Sequence, residues 1–296
     1  MIYRAATVGT FDGVHLGHLA VIDALKRLAE QRSLVPMVVT FDRHPLETVA
    51  PERAPKRLMS PDEEAAALQA LGVEVRVEEF TPQLMRQTAR EWMEGVYRRM
   101  GVRALVMGYD NTFGCDGVDM SVEGYQMLGT ELGIEVVEAS VVAGVSSSSV
   151  RRVLDAGDVD KASEMLGRFY RLAGMVTSGR QLGRTIGFPT ANLEVDPCRL
   201  VPANGVYACR AVLDNGTCRP AVVNIGVRPT VGEGLTPTVE AHLPGWDGNL
   251  YGRSVMLEFV GRLRGECRFG SLEELKGQIA RDCQAAEKIL FAIGRM

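Results

Sequence analysis

The first half of the chain alternates short strand-like runs with helix-length segments, and that alternation limits the fold more than any other feature. "IYRAATVG" is a short apolar run that ends in glycine. In "LAVIDALKRLAEQ", which follows a glycine-rich turn, Ile22, Leu25 and Leu28 recur at helical spacing. "LVPMVVTF" and "VEVRVEEF" read as strands, "TAREWMEGVYRRM" as a helix, and "VRALVMGYD" and "IEVVEASVV" as two more strands with a helix between them. Strands separated by helices imply βαβ units and a parallel sheet, a Rossmann-like α/β layer. Ligands of such sheets bind beyond the carboxyl ends of the strands.

The second half has another texture. From about Gly174 onward, short apolar stretches are broken by glycine and proline: "GVYACRAVL", "CRPAVVNIG", "PTVEAHL", "SVMLEFVGRL". No long helical period separates them, which favours a mostly antiparallel β-barrel or a sandwich. One helix closes the chain. Ser271 and Glu274 have capping-box spacing, and Leu272, Leu275, Ile279 and Leu290 recur helically. The change falls near "LGRFYRLAG" and divides the chain into expected domains 1–168 and 169–296. A chain of 296 residues, 46% of them hydrophobic, suits two globular domains.

The formal net charge is −4, so no global field attracts nucleic acid or an acidic membrane. No apolar run approaches membrane-spanning length. A polyphosphate ligand must therefore be gripped by a local site. Six cysteines are scattered without a C-x-x-C pair or a metal-type spacing. Together with the lack of a signal peptide, they lead us to expect a reducing, cytoplasmic compartment.

Residues 9–18, "GTFDGVHLGH", join the first strand to the first helix and hold two of the four histidines. Gly9 and Gly13 would let backbone N–H groups approach a ligand, and Gly17 would let the helix pack closely. A helix start carries partial positive charge that suits phosphate. His15 and His18 can donate N–H bonds to phosphate oxygens as charge shifts during transfer. Asp12 suits the orientation of backbone or a histidine better than direct contact with phosphate. The plainer alternative is a glycine turn with two surface histidines. H-x-G-H between a strand and a helix resembles the phosphate-binding signature of the HxGH nucleotidylyltransferases. The longer string resembles the opening motif of bacterial bifunctional riboflavin kinase/FAD synthetases. "FDRHP", "KRLMSPDEEAAALQALGV", "GYDNTFG" and "VSSSSVRRVLDAGDVDKASEMLGRFY" are similar to that family's later motifs, in the same order. The resemblance implies that Gly9, Phe11, Asp12, His15, His18, Ser146, Ser147 and Arg151 bind ATP, with Asp110 and Asn111 near the flavin. The chain departs from the family pattern at Arg43, at Asn111-Thr112 and in the acidic "CDGVD", around the expected FMN region.

"GMVTSGRQLGRTIGFPTAN" gathers glycines around Arg180 and Arg184, and a flexible loop with arginines can cover phosphates. Thr190 and Asn192 are oxygen donors two apart, so an extended segment turns both to one side. Together they could hold Mg²⁺ or another divalent cation, whose remaining ligands are waters and nucleotide phosphates. The competing possibility is a mobile connection in which both side chains serve turn backbone. The string resembles the riboflavin kinase signature, and "NGVYA", "NIGVRPTV", "TVEAHLPGWDGNLYG" and "RLRGECRFGSLEELKGQIARD" follow in that family's order. The resemblance implies an ATP site at Gly179, Arg180, Gly183, Arg184, Thr190 and Asn192, flavin contacts at Arg264 and Phe269, and Glu240 as catalytic base.

The resemblance covers nearly the whole chain. It implies phosphorylation of riboflavin to FMN with ATP, then adenylylation of FMN to FAD with release of pyrophosphate. The expected partners are thus riboflavin, FMN, FAD and ATP, without nucleic acid or membrane. Three alternatives are weighed on sequence alone: a kinase with a weak or inactive adenylyltransferase half, a flavin-binding protein without turnover, and a different nucleotidylyltransferase whose second domain only binds partners, against which the intact G-F-P-T-A-N loop counts.

Overall fold

The computed structural model describes residues 2–109, 111–117, 120–178, 183, 186–229 and 235–294. The chain forms two compact units, residues 1–147 and 148–296.

In the first unit the elements run β1 (Arg4–Val8), α1 (Leu16–Arg32), β2 (Val35–Phe41), α2 (Pro45–Val49), α3 (Pro61–Ala70), β3 (Glu74–Glu78), α4 (Pro82–Arg86), α5 (Ala89–Met100), β4 (Val102–Met107), α6 (Val122–Leu132) and β5 (Glu135–Glu138). The strands form one parallel sheet of order β3-β2-β1-β4-β5. Successive residues of the central strands supply opposite cores, as the two-residue period demands. Ala5, Val38 and Ala104 pack with Ile22, Leu25 and Leu28 of α1 and Leu68 of α3. Ala6, Val39 and Leu105 pack with Trp92, Met93 and Val96 of α5 and Tyr125 of α6. Thr88 and Glu91 cap the start of α5 reciprocally, and Gly101 ends it at φ 69°. β1 has β2 on one side and β4 on the other, so the strand order reverses there. The crevice beyond the carboxyl ends of β1 and β4 is the place such a sheet reserves for ligands.

The second unit contains α7 (Ser147–Asp155, whose first residue closes the first unit), α8 (Val159–Leu166), β6 (Tyr170–Thr177), β7 (Thr190–Glu194), β8 (Gly205–Leu213), β9 (Cys218–Pro229), β10 (Leu235–His242), β11 (Ser254–Arg264) and α9 (Leu272–Ala292). The six strands close into a barrel of order β10-β7-β6-β11-β8-β9. Every pairing in it is antiparallel. Closure removes the exposed sheet edges that a sandwich would leave. The barrel interior is filled by alternate residues such as Leu172, Leu193, Ile225, Val239 and Leu257. On the outer face Val206 and Val222 pack against Ala286 of α9. Also outside, Arg171, Glu258 and Arg210 are register partners on β6, β11 and β8, and Glu258 binds both guanidinium groups.

The compact units meet ahead of residue 168 because α7 and α8 go with the barrel. Val159, Ala162, Met165 and Leu166 of α8 are buried, and Leu154 O accepts from Ala203 N. A fragment spanning 148–296 should therefore be more stable than one spanning 169–296. Losing four buried apolar side chains costs on the order of several kcal/mol, read as a lower urea midpoint for the shorter piece.

Candidate active sites

The 9–18 turn is built under strain. Gly13 (φ 89°) and Val14 (φ 40°) both lie in the left-handed region, which a β-branched residue rarely adopts. Such a residue costs about 1–3 kcal/mol and persists only where its surroundings over-determine it. The surroundings here are specific. The buried Asp12 carboxylate accepts from Leu58 N (2.9 Å) and Met59 N (3.0 Å). Ser147 Oγ donates to Asp12 O (2.8 Å), and Val14 N to Phe11 O (2.9 Å). Gly9 N donates to Val39 O, so this N–H serves the sheet rather than a ligand. A Cβ on Gly17 would stand 3.1 Å from the His15 ring and 3.2 Å from Val145 O, so this glycine does allow a close approach.

His15 caps α1: its Nδ1 accepts from His18 N. An accepting Nδ1 carries no proton, so the ring proton of His15 lies on Nε2. The His18 ring stacks on His15 at 3.6 Å between centroids and meets Phe11 at 4.9 Å. Burial, and then neighbouring His15, hold the His18 imidazolium well below the usual histidine range. The ring is therefore neutral at pH 7. Among the described residues its buried Nδ1 has no hydrogen-bond partner, an arrangement that costs about 1–3 kcal/mol. An arriving anion offers that atom a partner.

Beside the turn lies a cavity of about 390 Å³ at the carboxyl ends of β1, β2 and β4. Gly9, Phe41, Phe80, Trp92, Asn111 and Phe113 are among its lining residues. Asn111 Nδ2 donates to Val8 O and so ties the β4 end to the β1 end. Of the expected residues, Gly9, Phe11, Asp12, His15, His18, Asn111, Ser146 and Ser147 belong to this unit. Arg151 lies on α7, which the second unit claims. Asp110 lies outside the described residues. The aromatic lining was missed in sequence because its members are scattered from residue 41 to residue 113.

In the barrel, register does the assembling. Asn192 on β7 is the partner of Glu240 on β10, Glu240 of Asn224 on β9, Asn224 of Val206 on β8, and Val206 of Arg264 on β11. These residues form one row on the outer face. Thr190 sits two residues from Asn192 and pairs with His242. At about 4.8 Å per strand, Arg264 stands roughly 14 Å around the row from Glu240. Arg264 Nη2 donates to Asp282 Oδ2 of α9 (2.8 Å), and its guanidinium carbon lies 5.8 Å from the centre of the half-buried Phe269 ring. His242 Nδ1 lies 2.8 Å from Pro189 O, which requires the proton on Nδ1. Gly183 N-terminal to this strand has no room for a side chain, since a Cβ would overlap Phe188 O. Thr190 also lines a cavity of about 450 Å³ with Val176, Ala241, Trp246 and Tyr251. Gly179, Arg180 and Arg184 lie outside the described residues. Asn224 had no expected role, and only strand pairing reveals its place beside Glu240.

Among the described residues no group of three or more His, Cys, Asp or Glu side chains could cage a metal ion. Thr190 and Asn192 nonetheless fit Mg²⁺, which needs only one or two protein oxygens when phosphates complete its shell.

A switch-point crevice with a histidine-capped helix, joined in sequence to a closed barrel with a polar outer row, defines a nucleotide-handling protein of two parts. Residues 3–150 match the family model described as FAD synthetase, and residues 166–290 the one described as riboflavin kinase. The bifunctional riboflavin kinase/FMN adenylyltransferase of Pseudomonas fluorescens is 39% identical over 290 residues, covering 96% of this chain and 92% of its own. The enzyme of that name from Bacillus subtilis is 35% identical, covering 94% and 90%. A solved structure from Streptococcus pneumoniae, named a macrolide-efflux protein, superimposes with a TM-score of 0.87 at 27% identity, covering 97% of this chain and 94% of that one. The chain belongs to the bifunctional riboflavin kinase/FMN adenylyltransferase family.

His15→Ala should remove the α1 cap and cost about 1 kcal/mol, whereas His15→Asn keeps an acceptor and should recover most of it. Urea unfolding followed by Trp92 fluorescence in a Trp246→Phe background reports on this unit alone.

Proposed function

We infer that this chain makes both flavin cofactors: it phosphorylates riboflavin to FMN with ATP and adenylylates FMN to FAD, releasing pyrophosphate. The observation that carries this is that a different family model matches each half of the chain, residues 3–150 and residues 166–290. We assign FAD synthesis to residues 1–168 and riboflavin phosphorylation to 169–296.

In the first reaction site an oxygen of the FMN phosphate attacks the α-phosphorus of ATP and pyrophosphate leaves. The neutral His18 and the Nε2–H of His15 donate to phosphate oxygens as negative charge builds, from positions set before the substrate arrives. Ser146, Ser147 and Arg151 are further candidates for the ATP phosphates, although the Ser147 hydroxyl already serves Asp12 O. Asp12 acts through the backbone it holds. Phe41, Phe80, Trp92 and Phe113 suit the flavin ring, which stacks on aromatic faces.

In the kinase site Glu240 takes the proton of the ribityl hydroxyl as that oxygen attacks the γ-phosphorus. Asn192 and Thr190 would hold Mg²⁺, which when bound would offset the charge of the phosphates. Gly183 itself packs closely on Phe188 ahead of β7. Arg264 and Phe269 suit the flavin end of the row. Among the described residues no helix is long and apolar enough to cross a membrane, and all six cysteines are unpaired. Both fit the proposed cytoplasmic location, where thiols stay reduced.

His18→Ala should lower FAD formation roughly ten- to thousandfold and spare FMN formation; equal loss of both activities would sink the role. Glu240→Gln should slow riboflavin phosphorylation about a hundredfold or more, while FAD synthesis from supplied FMN continues. Product chromatography with riboflavin or FMN plus ATP separates these outcomes.

A further inference from the structure

The phenol of Tyr125 serves a segment to which it does not belong. Tyr125 lies on α6 with 1% of its surface exposed. Its Oη accepts from Phe113 N at 3.0 Å and donates to Phe113 O at 2.7 Å. Phe113 belongs to no strand or helix, so one side chain satisfies both of its main-chain polar groups. A Cβ on Gly117 would stand 2.5 Å from the same oxygen, so the segment closes over the phenol. Burial pushes this phenol above its ordinary value, with the Asp116 charge adding to the rise and the Phe113 bond opposing it. The proton donated to Phe113 O is therefore held at neutral pH.

The segment is pinned on either side of Phe113. Asn111 Nδ2 donates to Val8 O, Cys115 N to Gln87 O at 2.8 Å, and Asp116 Oδ1 accepts from Ala89 N at the start of α5 at 2.7 Å. None of these bonds acts at Phe113 itself. The half-buried Phe113 ring lies 4.5 Å from the Trp92 ring and 4.5 Å from the Tyr125 ring. Trp92 and Phe113 line the cavity of about 390 Å³. Tyr125 packs with them in the core behind it.

We propose that Tyr125 is a positioning residue for flavin binding in the first unit: its phenol sets the Phe113 ring as a wall of the FMN pocket without touching the flavin. The inference rests on the assignment of that cavity to FMN. An aromatic wall rewards a flat ligand most when its plane is set in advance, because a ring free to turn must be ordered at the moment of binding. Without the phenol oxygen, the segment keeps its anchors at Asn111, Cys115 and Asp116 but loses the one at the residue that carries the ring. The groups assigned to the transferring phosphate, His15 and His18 among them, lie outside this segment. Loss of the phenol should therefore weaken FMN binding and leave the chemical step alone.

The test uses the full chain with Tyr125→Phe, Phe113→Leu and both together. Tyr125→Phe removes one oxygen and keeps the ring, and Phe113→Leu keeps an apolar side chain without the aromatic face. FAD formation is measured with FMN varied at saturating ATP and with ATP varied at saturating FMN, and riboflavin phosphorylation is the internal control. We expect Tyr125→Phe to raise KM for FMN about three- to tenfold, the scale of one aromatic contact. The kcat, KM for ATP and riboflavin phosphorylation should stay near the parent's. In the Phe113→Leu background the same change should add little, because the ring that the phenol positions is gone. A tyrosine that merely stabilised the unit would raise both KM values or lower kcat, and that outcome overturns the proposal. So does a Tyr125→Phe effect of equal size in the parent and in the Phe113→Leu background. If Phe113→Leu leaves KM for FMN unchanged, the assignment of the cavity fails, and the inference with it; if Phe113→Leu raises KM for FMN and Tyr125→Phe does not, only the inference fails.

Discussion

The first unit depends on a backbone conformation that its own sequence disfavours. Val14 sits at φ 40°, and a β-branched residue stays there only under restraint. The restraint comes from residues far along the chain: Leu58 and Met59 through the Asp12 carboxylate, and Ser147 through the Asp12 carbonyl. These contacts converge on Asp12, in the turn between β1 and α1. The sheet places them beside the switch point, and the His15 cap converts the end of the turn into the start of a helix whose dipole favours anions. Strain, cap and orphaned nitrogen meet in one turn, the one that the proposed function assigns to phosphate.

The barrel reaches preorganisation by register. A closed antiparallel barrel leaves no freedom for a strand to slip, because one step would turn every inward side chain outward. Leu193, Val239 and Ile225 lock β7, β10 and β9 through the interior. Asn192, Glu240 and Asn224 are consequently aligned on the outside with no contact of their own needed to set the row. The Arg171–Glu258–Arg210 triad on the far strands brings a second set of outer-face groups into line in the same way. Removing either arginine would leave a buried charge short of a partner, which is why such triads hold register well even where their net stabilisation is small.

Much of this was legible along the chain. The change from helical to two-residue periodicity separates the α/β layer from the barrel, and the glycine-rich strings at 9–18 and 174–192 point to phosphate because few other chemistries use those residue types together. The resemblance to a known family extended both strings to their partners, including Glu240. The α3 helix escaped notice: "PDEEAAALQA" offers alanines and one leucine where a periodic apolar face is the usual signal. The boundary was also placed by texture, whereas α7 and α8 bury their apolar sides in the second unit.

Local pattern thus determined the element types, the two-part organisation and the candidate residues, because periodicity and turn chemistry act over a few neighbouring positions. Tertiary structure decided which groups are committed and which are available. Gly9 N is spent on Val39, the Asp12 carboxylate on two amides, and Ser147 on Asp12, while His18 Nδ1 is left over among the described residues. Hydrogen-bond capacity is consumed by whichever partner folding brings within about 3 Å. Burial shifts a titrating group only after distant elements have closed over it. Both depend on contacts between residues tens of positions apart, and no window of sequence contains them.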